Sequence, residues 1–234
     1  ADTIIAISNS TKNDIVNLFG IKPDKIEVVY QTCDDIYKKK LTHYEAEAIL
    51  RRYELPPHYL LYVGTINRRK NLLTLVKAMH ILNKQRTIPL VVVGNGGRYK
   101  QEIEEYIKKN NLGSTIIFFS QFSNYDLPAL YTNAEIFIYP SLYEGFGIPI
   151  LEAQFCNVPV ITSSLSSLPE AAGEGALFCD VENPEAIYHA INSILNNKEL
   201  RNNLINKGIT NCTKFNSEVI CSSIMNVYYK TIDK

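Results

Sequence analysis

The chain has 234 residues, of which 46% are hydrophobic and 21% are charged, so it is long enough for one large domain or for one and a half smaller ones. Its 24 basic residues balance its 24 acidic residues, which argues against a protein that gathers nucleic acid or anionic membrane through its overall charge. No apolar run approaches the roughly 20 residues of a membrane span, and the chain starts with no signal segment. We therefore expect a cytoplasmic protein with at most peripheral membrane contact.

The spacing of cysteine and histidine predicts no metal site. The five cysteines are odd in number and lack a C-x-x-C pair, which argues against both a disulfide framework and a zinc site. The four histidines have no cysteine or carboxylate at ligand spacing. Because the first residue is Ala1 rather than Met, we also expect a processed or excised piece of a longer protein.

The first part of the chain reads as the end of one domain followed by a linker. Residues 1–33 contain a strand, a helix capped near Ser8 and a second strand, which predicts the last βαβ unit of a truncated amino-terminal domain. Residues 34–57 hold a helix that begins at a capping box formed by Thr42 and Glu45. We expect this segment to connect the two domains.

Strands and helices alternate regularly in residues 58–216. The six predicted strands are short apolar runs at 59–63, 90–93, 115–119, 135–139, 158–162 and 175–178. Apolar strands that alternate with helices predict a parallel sheet covered on both faces, and so a doubly wound, Rossmann-like α/β domain. The helix after the third strand is expected to start at a Ser123/Asp126 capping box. Residues 217–234 predict an amphipathic helix whose apolar face has no evident partner in this domain.

The stretch SLYEGFGIPILEAQ, residues 141–154, follows the fourth predicted strand. Ligands of an open parallel sheet bind at the carboxyl ends of its strands. Pro149 favours a helix start, and the free N–H groups and partial positive charge at a helix start attract an anion. Gly145 and Gly147 let a ligand come close to the backbone. The sequence therefore predicts a phosphate site in this loop.

Two glutamates, Glu144 and Glu152, flank the predicted phosphate site. Carboxylates repel phosphate but accept hydrogen bonds from hydroxyls, so the predicted ligand has a phosphate centre between polyhydroxylated groups, as a nucleotide-diphosphate sugar has. The spacing alone decides nothing, because Glu174 and Glu182 are equally far apart around a predicted buried strand. A plain glycine turn with two solvated glutamates explains the stretch equally well when it stands alone.

A basic loop strengthens the phosphate prediction. Arg68, Arg69 and Lys70 follow the first strand of the domain and precede a helix that we expect Asn71 to cap. They lie at the same edge of the predicted sheet and could supply the counter-charge that a diphosphate leaving group needs. A solvated basic turn is the alternative, and the position beside the glycine loop favours binding.

Two further loops at this edge carry weaker signals. The glycine cluster that begins at Gly94 fails the dinucleotide fingerprint because Tyr99 stands where the third glycine belongs. We predict a close-approach turn near the ligand, and an ordinary strand-to-helix turn is equally consistent. Gln121 and Phe122, after the third strand, are candidates to contact a nucleotide base through their backbone.

Several segments together resemble the carboxy-terminal half of a family 4 retaining glycosyltransferase with the GT-B fold. This family belongs to the glycosyltransferases called group 1. The segments are ADTIIAISNSTKNDI with KIEVVY, YVGTINRRKNL, VVVGNGG, LPALYTNAEIFIYPSLYEGFGIPILEA and VPVITSSLSSLPEAAGEGALFCD. The fourth is the most specific, because it contains the E-x7-E motif of that family. The resemblance covers nearly the whole chain.

The resemblance implies roles for individual residues. Glu144 would hold hydroxyls of the donor sugar, Glu152 those of the ribose, and Lys70 with Arg69 the diphosphate. The other positions implied or predicted to contact the donor are Gly64, Thr65, Gly94, Gln121, Phe122, Gly145, Phe146, Gly147 and Ile148. Many family members have arginine where this chain has Thr65, which leaves open which arginine acts, and we predict Arg69.

The resemblance also implies an activity. The full-length protein would transfer a hexose with retention from a nucleotide-diphosphate sugar, with GDP-mannose favoured over a UDP-sugar, in polysaccharide biosynthesis. No metal or other cofactor is expected. The acceptor, a glycan or a lipid-linked glycan, would bind through the missing first domain, towards which the C-terminal helix would cross, so this piece is expected to be inactive alone. A GT-B nucleotide-sugar epimerase, a starch-type synthase and a non-catalytic nucleotide-sugar binding module are the alternatives.

Overall fold

The structure is a computed structural model that describes residues 1–232. Its strands are β1 (Ile4–Ala6), β2 (Ile26–Val28), β3 (Leu60–Val63), β4 (Leu90–Val93), β5 (Ile116–Phe119), β6 (Ile136–Tyr139), β7 (Val160–Thr162) and β8 (Ala176–Phe178). Its α-helices are α1 (Asn9–Phe19), α2 (His43–Arg52), α3 (Leu72–Leu82), α4 (Arg98–Lys109), α5 (Leu127–Asn133), α6 (Ile148–Phe155), α7 (Leu168–Ala172), α8 (Pro184–Asn196), α9 (Lys198–Cys212) and α10 (Ser217–Ile232).

Strands β3 to β8 form one parallel sheet in the order β5-β4-β3-β6-β7-β8. Side chains alternate between its two faces, so that in β3 Leu60 and Tyr62 join one hydrophobic cluster while Leu61 joins the other. The first cluster packs against α3, α4 and α8, and the second packs against α5, α6 and α7. Both faces are therefore covered, which confirms the predicted doubly wound α/β fold.

The order of the strands creates a crevice at the centre of the sheet. From β3 the chain moves outward to β4 and β5, and it then returns to the other side of β3 as β6, where Leu60 pairs with Ile136. The loops that follow β3 and β6 consequently leave the sheet in opposite directions. A ligand site is expected at such a switch point, beyond the carboxyl ends of the two strands.

Strands β1 and β2 form a separate two-stranded parallel sheet, and α10 packs against it. The contact consists of a small apolar cluster of Val29, Ile220 and Val227, with an ion pair between Lys230 and Glu27 at 3.4 Å. The helix whose partner was missing from the sequence analysis thus lies on the first βαβ unit. The domain boundaries drawn at 33, 57 and 216 stay predictions.

Two of the helix caps predicted from the sequence form, whereas the one at Ser123 does not. The capping box of Thr42 and Glu45 is present, and Ser8 Oγ accepts a hydrogen bond from the backbone N–H of Thr11 at 2.9 Å. The predicted box at Ser123 is wrong, because α5 begins only at Leu127. The Asp126 carboxylate instead accepts hydrogen bonds from Tyr53 and Arg52 of the linker helix region.

Three further differences come from tertiary contacts. Asn71 precedes α3 in a left-handed conformation and does not cap its backbone, since its side chain bonds to Thr74 and to the carbonyl of Val181. Strand β8 is a half-exposed edge strand rather than a buried one. Helix α9, which the sequence analysis did not separate, begins where the side chain of Asn197 accepts from the N–H of Leu200.

Candidate functional site

The predicted phosphate loop and the predicted basic loop meet at the central crevice. An open cleft of about 280 Å³ lies there. The predicted site residues that line it are Lys70, Glu144, Gly145, Phe146, Gly147 and Ile148. Ile7 and Gln31 of the first part of the chain also line it, so both sheets of the molecule contribute to its walls.

Glu144 is the centre of the polar network in this cleft. Its carboxylate accepts from Lys70 Nζ at 2.7 Å, from Arg69 Nη1 at 2.7 Å and from Ser141 Oγ at 2.6 Å. Burial raises the pKa of Glu144, but the hydrogen bonds from Arg69, Lys70 and Ser141 outweigh that effect and leave the pKa below its usual range. The carboxylate is therefore ionised at neutral pH, between two cations.

Lys70 is a buried cation. The turn Arg68–Lys70 is a short 3-10 helix, which the side chain of Asn67 fixes by accepting from the N–H of Lys70 at 3.0 Å. Burial lowers the pKa of Lys70, and the hydrogen bond to Glu144 opposes that shift. A partly desolvated ammonium that a carboxylate holds is suited to exchange that carboxylate for a phosphate.

The three basic residues of the turn point in different directions. Arg68 forks onto both oxygens of Glu102 at 2.8 Å and lies over the ring of Tyr99, outside the cleft. Arg69 reaches Glu144 and also contacts the carbonyl of Tyr143. The structure thus brings Arg69 and Lys70 together on the Glu144 carboxylate, and of the two Lys70 lines the cleft. Their catalytic roles stay predictions.

The glycine loop ends in the start of α6, one residue before the expected Pro149. Gly147 has φ of 126°, and a Cβ there would lie 3.1 Å from Leu168 Cδ2 and 3.3 Å from the Cβ of Ala171. A Cβ at Gly145 would lie 3.0 Å from Ile7. The positive φ and the close packing thus favour glycine at position 147, whereas at position 145 only the end of the Ile7 side chain stands in the way of a Cβ. The backbone of this loop lines the cleft.

Hydroxyl groups from neighbouring elements hold the carbonyls of this loop. Ser8 Oγ, at the N-cap of α1, donates to the carbonyl of Gly145 at 2.7 Å, and the single hydroxyl proton of Ser167 is shared between the carbonyls of Glu144 and Phe146, each 2.8 Å away. These bonds fix the path of the loop backbone. The sequence analysis missed these contacts, since Ser8 read only as a helix cap.

Glu152 lies apart from this network. Its Oε2 accepts from the hydroxyl of Tyr131 at 2.7 Å, and the hydroxyl of Tyr37 also bonds to the carboxylate. Burial raises the pKa of Glu152, although both hydroxyls oppose the shift. Glu152 does not line the cleft described above. Its contact with a ribose stays a prediction.

The remaining predicted donor contacts lie around the same sheet edge. A Cβ at Gly94 would come within 2.0 Å of the carbonyl oxygen of Gly64, so the close approach that requires this glycine is between two protein loops rather than with a ligand. Thr65 is exposed on the first of those loops. Gln121 is exposed and Phe122 stacks on Tyr53 with ring centroids 3.9 Å apart, beside the edge strand β5. Their contacts with a donor stay predictions.

Among the side chains that the structure describes, which leave out that of His43, no group of three or more histidine, cysteine or acidic residues is placed to hold a metal ion. The expectation that no metal is needed stays a prediction. Residues 1–232 include no helix with the length and apolar character needed to cross a membrane.

Residues 47–211 match the model of the family described as glycosyl transferases group 1. The chain belongs to this family. It is 31% identical over 231 residues to the O-antigen chain mannosyltransferase B of Escherichia coli, a match that covers 97% of the chain and 60% of that protein. The chain thus spans about 60% of the length of this curated relative.

Two solved structures show the same fold. A glycosyltransferase from Rickettsia africae has a TM-score of 0.89 at 22% identity, with 99% of this chain and 64% of that chain covered. An Anabaena protein in complex with UDP and glucose has a TM-score of 0.87 at 17% identity, with 98% of this chain and 63% of that chain covered. Together with the family match, they confirm the predicted resemblance to the carboxy-terminal half of a GT-B glycosyltransferase.

Proposed function

We propose that the chain is the donor-binding part of a retaining hexosyltransferase that uses a nucleotide-diphosphate sugar. The observation that carries the proposal is the convergence of Glu144, Arg69 and Lys70 in the crevice between the β3 and β6 loops. Two cations near the N-terminus of α6 offer positive charge for a diphosphate, and the carboxylate between them offers an acceptor for a sugar hydroxyl. A solvated basic turn or a plain glycine turn does not account for this convergence.

Donor binding would exchange partners within this cluster. Lys70 and Arg69 are each 2.7 Å from a Glu144 oxygen. A diphosphate carries more charge than one carboxylate, so it would draw both cations toward itself. The hydroxyl of Ser141, 2.6 Å from Oε1, would keep Glu144 in place. Oε2 would then accept a hydrogen bond from a hydroxyl of the donor sugar.

Transfer breaks the bond between the anomeric carbon and a phosphate oxygen, and negative charge grows on the leaving diphosphate. Lys70 and Arg69 would stabilise that charge where it develops. The acceptor hydroxyl would attack from the face that the phosphate leaves, and the leaving phosphate would take its proton, so the anomeric configuration is retained. Glu144 would orient the sugar without forming a covalent bond to it.

GDP-mannose is the favoured donor, since the Escherichia coli relative is named as a mannosyltransferase. A UDP-sugar is the alternative, because the Anabaena neighbour was solved with UDP and glucose. The ribose is assigned to Glu152, which would exchange the hydroxyl of Tyr131 or Tyr37 for those of the ribose. The base and sugar would contact the loop positions predicted above, which are Gly64, Thr65, Gly94, Gln121 and Phe122.

Calorimetric titration of the 234-residue chain with GDP and with UDP tests this site. We expect Lys70→Ala to weaken binding about tenfold or more, because a hydrogen bond to a charged group contributes about 1.5–3 kcal/mol. Arg68→Ala is the matched control, since Arg68 belongs to the same turn but bonds to Glu102. Equal binding by wild type and Lys70→Ala would contradict the site. A wild-type chain that binds neither nucleotide would contradict the proposed function.

The acceptor is proposed to bind a preceding domain, with transfer at the cytoplasmic face of the membrane and without a metal. The 234-residue chain would then bind the donor but transfer no sugar. Transfer assays with and without EDTA would compare this chain with a protein of the full length of its relatives. Product analysis separates a transferase from an epimerase or a starch-type synthase, and nucleotide binding without turnover by the longer protein would indicate a binding module.

A further inference from the structure

A tyrosine hydroxyl joins the cation and the carboxylate of the proposed donor site. Tyr139 is the last residue of β6, is 1% exposed and lines the cleft. Its hydroxyl donates to Glu144 Oε1 at 3.1 Å and accepts a hydrogen bond from Lys70 Nζ. We propose that Tyr139 is a positioning residue that keeps the Lys70 ammonium charged and directed at the donor diphosphate, an inference that rests on the proposed function.

The Tyr139 hydroxyl and the Glu144 carboxylate both accept from Lys70 Nζ, which lies beyond the hydroxyl end of the Tyr139 ring rather than over its face. The ring is itself fixed by stacking on Phe137, with centroids 5.9 Å apart and planes at 23°. Because the Lys70 side chain is only 11% exposed, little water is present to replace these partners.

The number of donors on the ammonium group explains why the hydroxyl matters during donor binding. An ammonium carries three N–H donors. Among the described residues, Glu144 and Tyr139 accept two of them, which leaves one for a phosphate oxygen. When the diphosphate draws Lys70 away from Glu144, the Tyr139 hydroxyl can still accept from Lys70 and still donate to Glu144. Lys70 and Glu144 thus share the Tyr139 hydroxyl as a partner both with and without the diphosphate.

The protonation states fit this role. Burial and the nearby Glu144 carboxylate raise the pKa of Tyr139, so its hydroxyl stays neutral and can donate and accept at once. Burial lowers the pKa of Lys70, while the facing charges are Glu144 from the β6 loop, which opposes that shift, and Arg69 from its own turn, which adds to it. The Tyr62 hydroxyl of β3 adds to the raised pKa of Tyr139, and the Arg69 guanidinium opposes it. Removal of an acceptor of the ammonium should therefore lower the pKa of Lys70 further.

The variant Tyr139→Phe keeps the ring and removes the hydroxyl. We expect it to weaken GDP binding about tenfold. We also expect the loss of binding at alkaline pH to begin at a lower pH, and the NMR titration of the Lys70 side chain to move in the same direction. Tyr59→Phe is the matched control, because Tyr59 is 0% exposed and its hydroxyl donates to the carbonyl of Leu130 at 2.7 Å, at the opposite end of β3. It should change neither titration.

The outcomes separate this inference from the proposed function. An unchanged pKa of Lys70 in Tyr139→Phe overturns the inference. Weaker GDP binding that is lost at the same alkaline pH as in the wild type overturns it as well. Absence of GDP and UDP binding by the wild type contradicts the proposed function instead, while the Lys70 titration without nucleotide still decides the role of the hydroxyl. Should Tyr139→Phe not fold, 3-fluorotyrosine at position 139 keeps the hydroxyl but makes it a poorer acceptor. A lower Lys70 pKa then supports the inference, and no change overturns it.

Discussion

Glu144 and Glu152 have opposite electrostatic surroundings although they belong to one short motif. Burial raises the pKa of both residues, but at Glu144 hydrogen bonds from two cations and a hydroxyl outweigh it and lower the pKa. At Glu152 the hydrogen bonds that oppose the raised pKa come from tyrosine hydroxyls, and the pKa stays raised. The first residue is thus held as a carboxylate, whereas burial disfavours the charged form of the second. Glu174, of the equally spaced decoy pair Glu174 and Glu182, differs from both, since it is 82% exposed and pairs with Lys207 at the surface.

Removal of the Glu152 charge should raise the stability of the fold and weaken GDP binding. Because its folded pKa is raised, its contribution to stability is fully present below the unfolded pKa and is lost as the pH rises through the folded pKa. Glu152→Gln keeps an acceptor for the Tyr131 hydroxyl and removes the charge. We expect it to be more stable than wild type in urea at pH 7, with the difference shrinking at acid pH. If Glu152 binds ribose, GDP affinity should fall about tenfold.

The control for this substitution is Glu182→Gln, which removes an exposed acid of the decoy pair. It should change neither the pH dependence of urea unfolding nor GDP binding. A Glu152→Gln chain that is less stable than wild type at pH 7 and at pH 5 alike would show that the buried charge is not the source of strain.

At the scale of elements, the start of α6 depends on Gly147. The residue has φ of 126°, and a Cβ would press on Leu168 and Ala171 of α7. We expect Gly147→Ala to lower the free energy of unfolding by about 1–3 kcal/mol, because both the backbone and the packing resist it. Since this backbone lines the cleft, GDP binding should weaken as well.

Gly113→Ala is the matched control for this loop, because a Cβ there meets nothing within 4 Å. Its effect on urea unfolding should stay within about 0.5 kcal/mol. If Gly147→Ala has the same urea midpoint as Gly113→Ala and binds GDP as the wild type does, the packing of α6 on α7 does not fix the glycine loop.

The alternation of elements and the shared edge of the basic loop and the glycine loop could be predicted from the sequence, but the order of the strands could not. Apolar runs encode buried parallel strands directly, and every predicted strand of the domain forms. The order of strands in the sheet has no local signal, so the pairing of Leu60 with Ile136 that brings the two loops together is a tertiary outcome. Which side chains of the turn Arg68–Lys70 point toward the cleft also depends on contacts with residues far along the chain, such as that between Arg68 and Glu102.

Tyr139 was missed for a physical reason. A tyrosine in an apolar strand is most often a core residue, and its ring does pack in the core here. Only its position at the carboxyl end of β6, opposite Lys70, gives the hydroxyl a second role. Likewise, the stacking of Tyr30 on Phe146 at 5.6 Å joins two separate sheets, which no pattern within either segment indicates.

At the scale of the whole molecule, one carboxylate joins the two sheets. Glu170 of α7 accepts hydrogen bonds from the backbone N–H groups of Asn9 and Ser10, each at 2.8 Å, and from the hydroxyl of Tyr30 at 3.2 Å. It therefore caps the N-terminus of α1, whose N-cap residue Ser8 hydrogen-bonds to the glycine loop. The position of α1 and the shape of the cleft are thus physically connected.

Glu170→Gln tests that connection. Burial raises the pKa of Glu170, but the backbone hydrogen bonds from Asn9 and Ser10 outweigh it, so the stabilising contribution is present above the unfolded pKa and is lost as the pH falls through the lowered folded pKa. The variant should lose the charge-assisted part of the cap, about 0.3–1 kcal/mol at this solvent-screened position. We expect amide hydrogen exchange at pH 7 to quicken up to about fivefold in α1 and in the glycine loop while β3 and β6 stay protected. Glu174→Gln, an exposed neighbour, should leave exchange unchanged, and equal protection of α1 in both variants would show that the Glu170 carboxylate does not fix the position of α1.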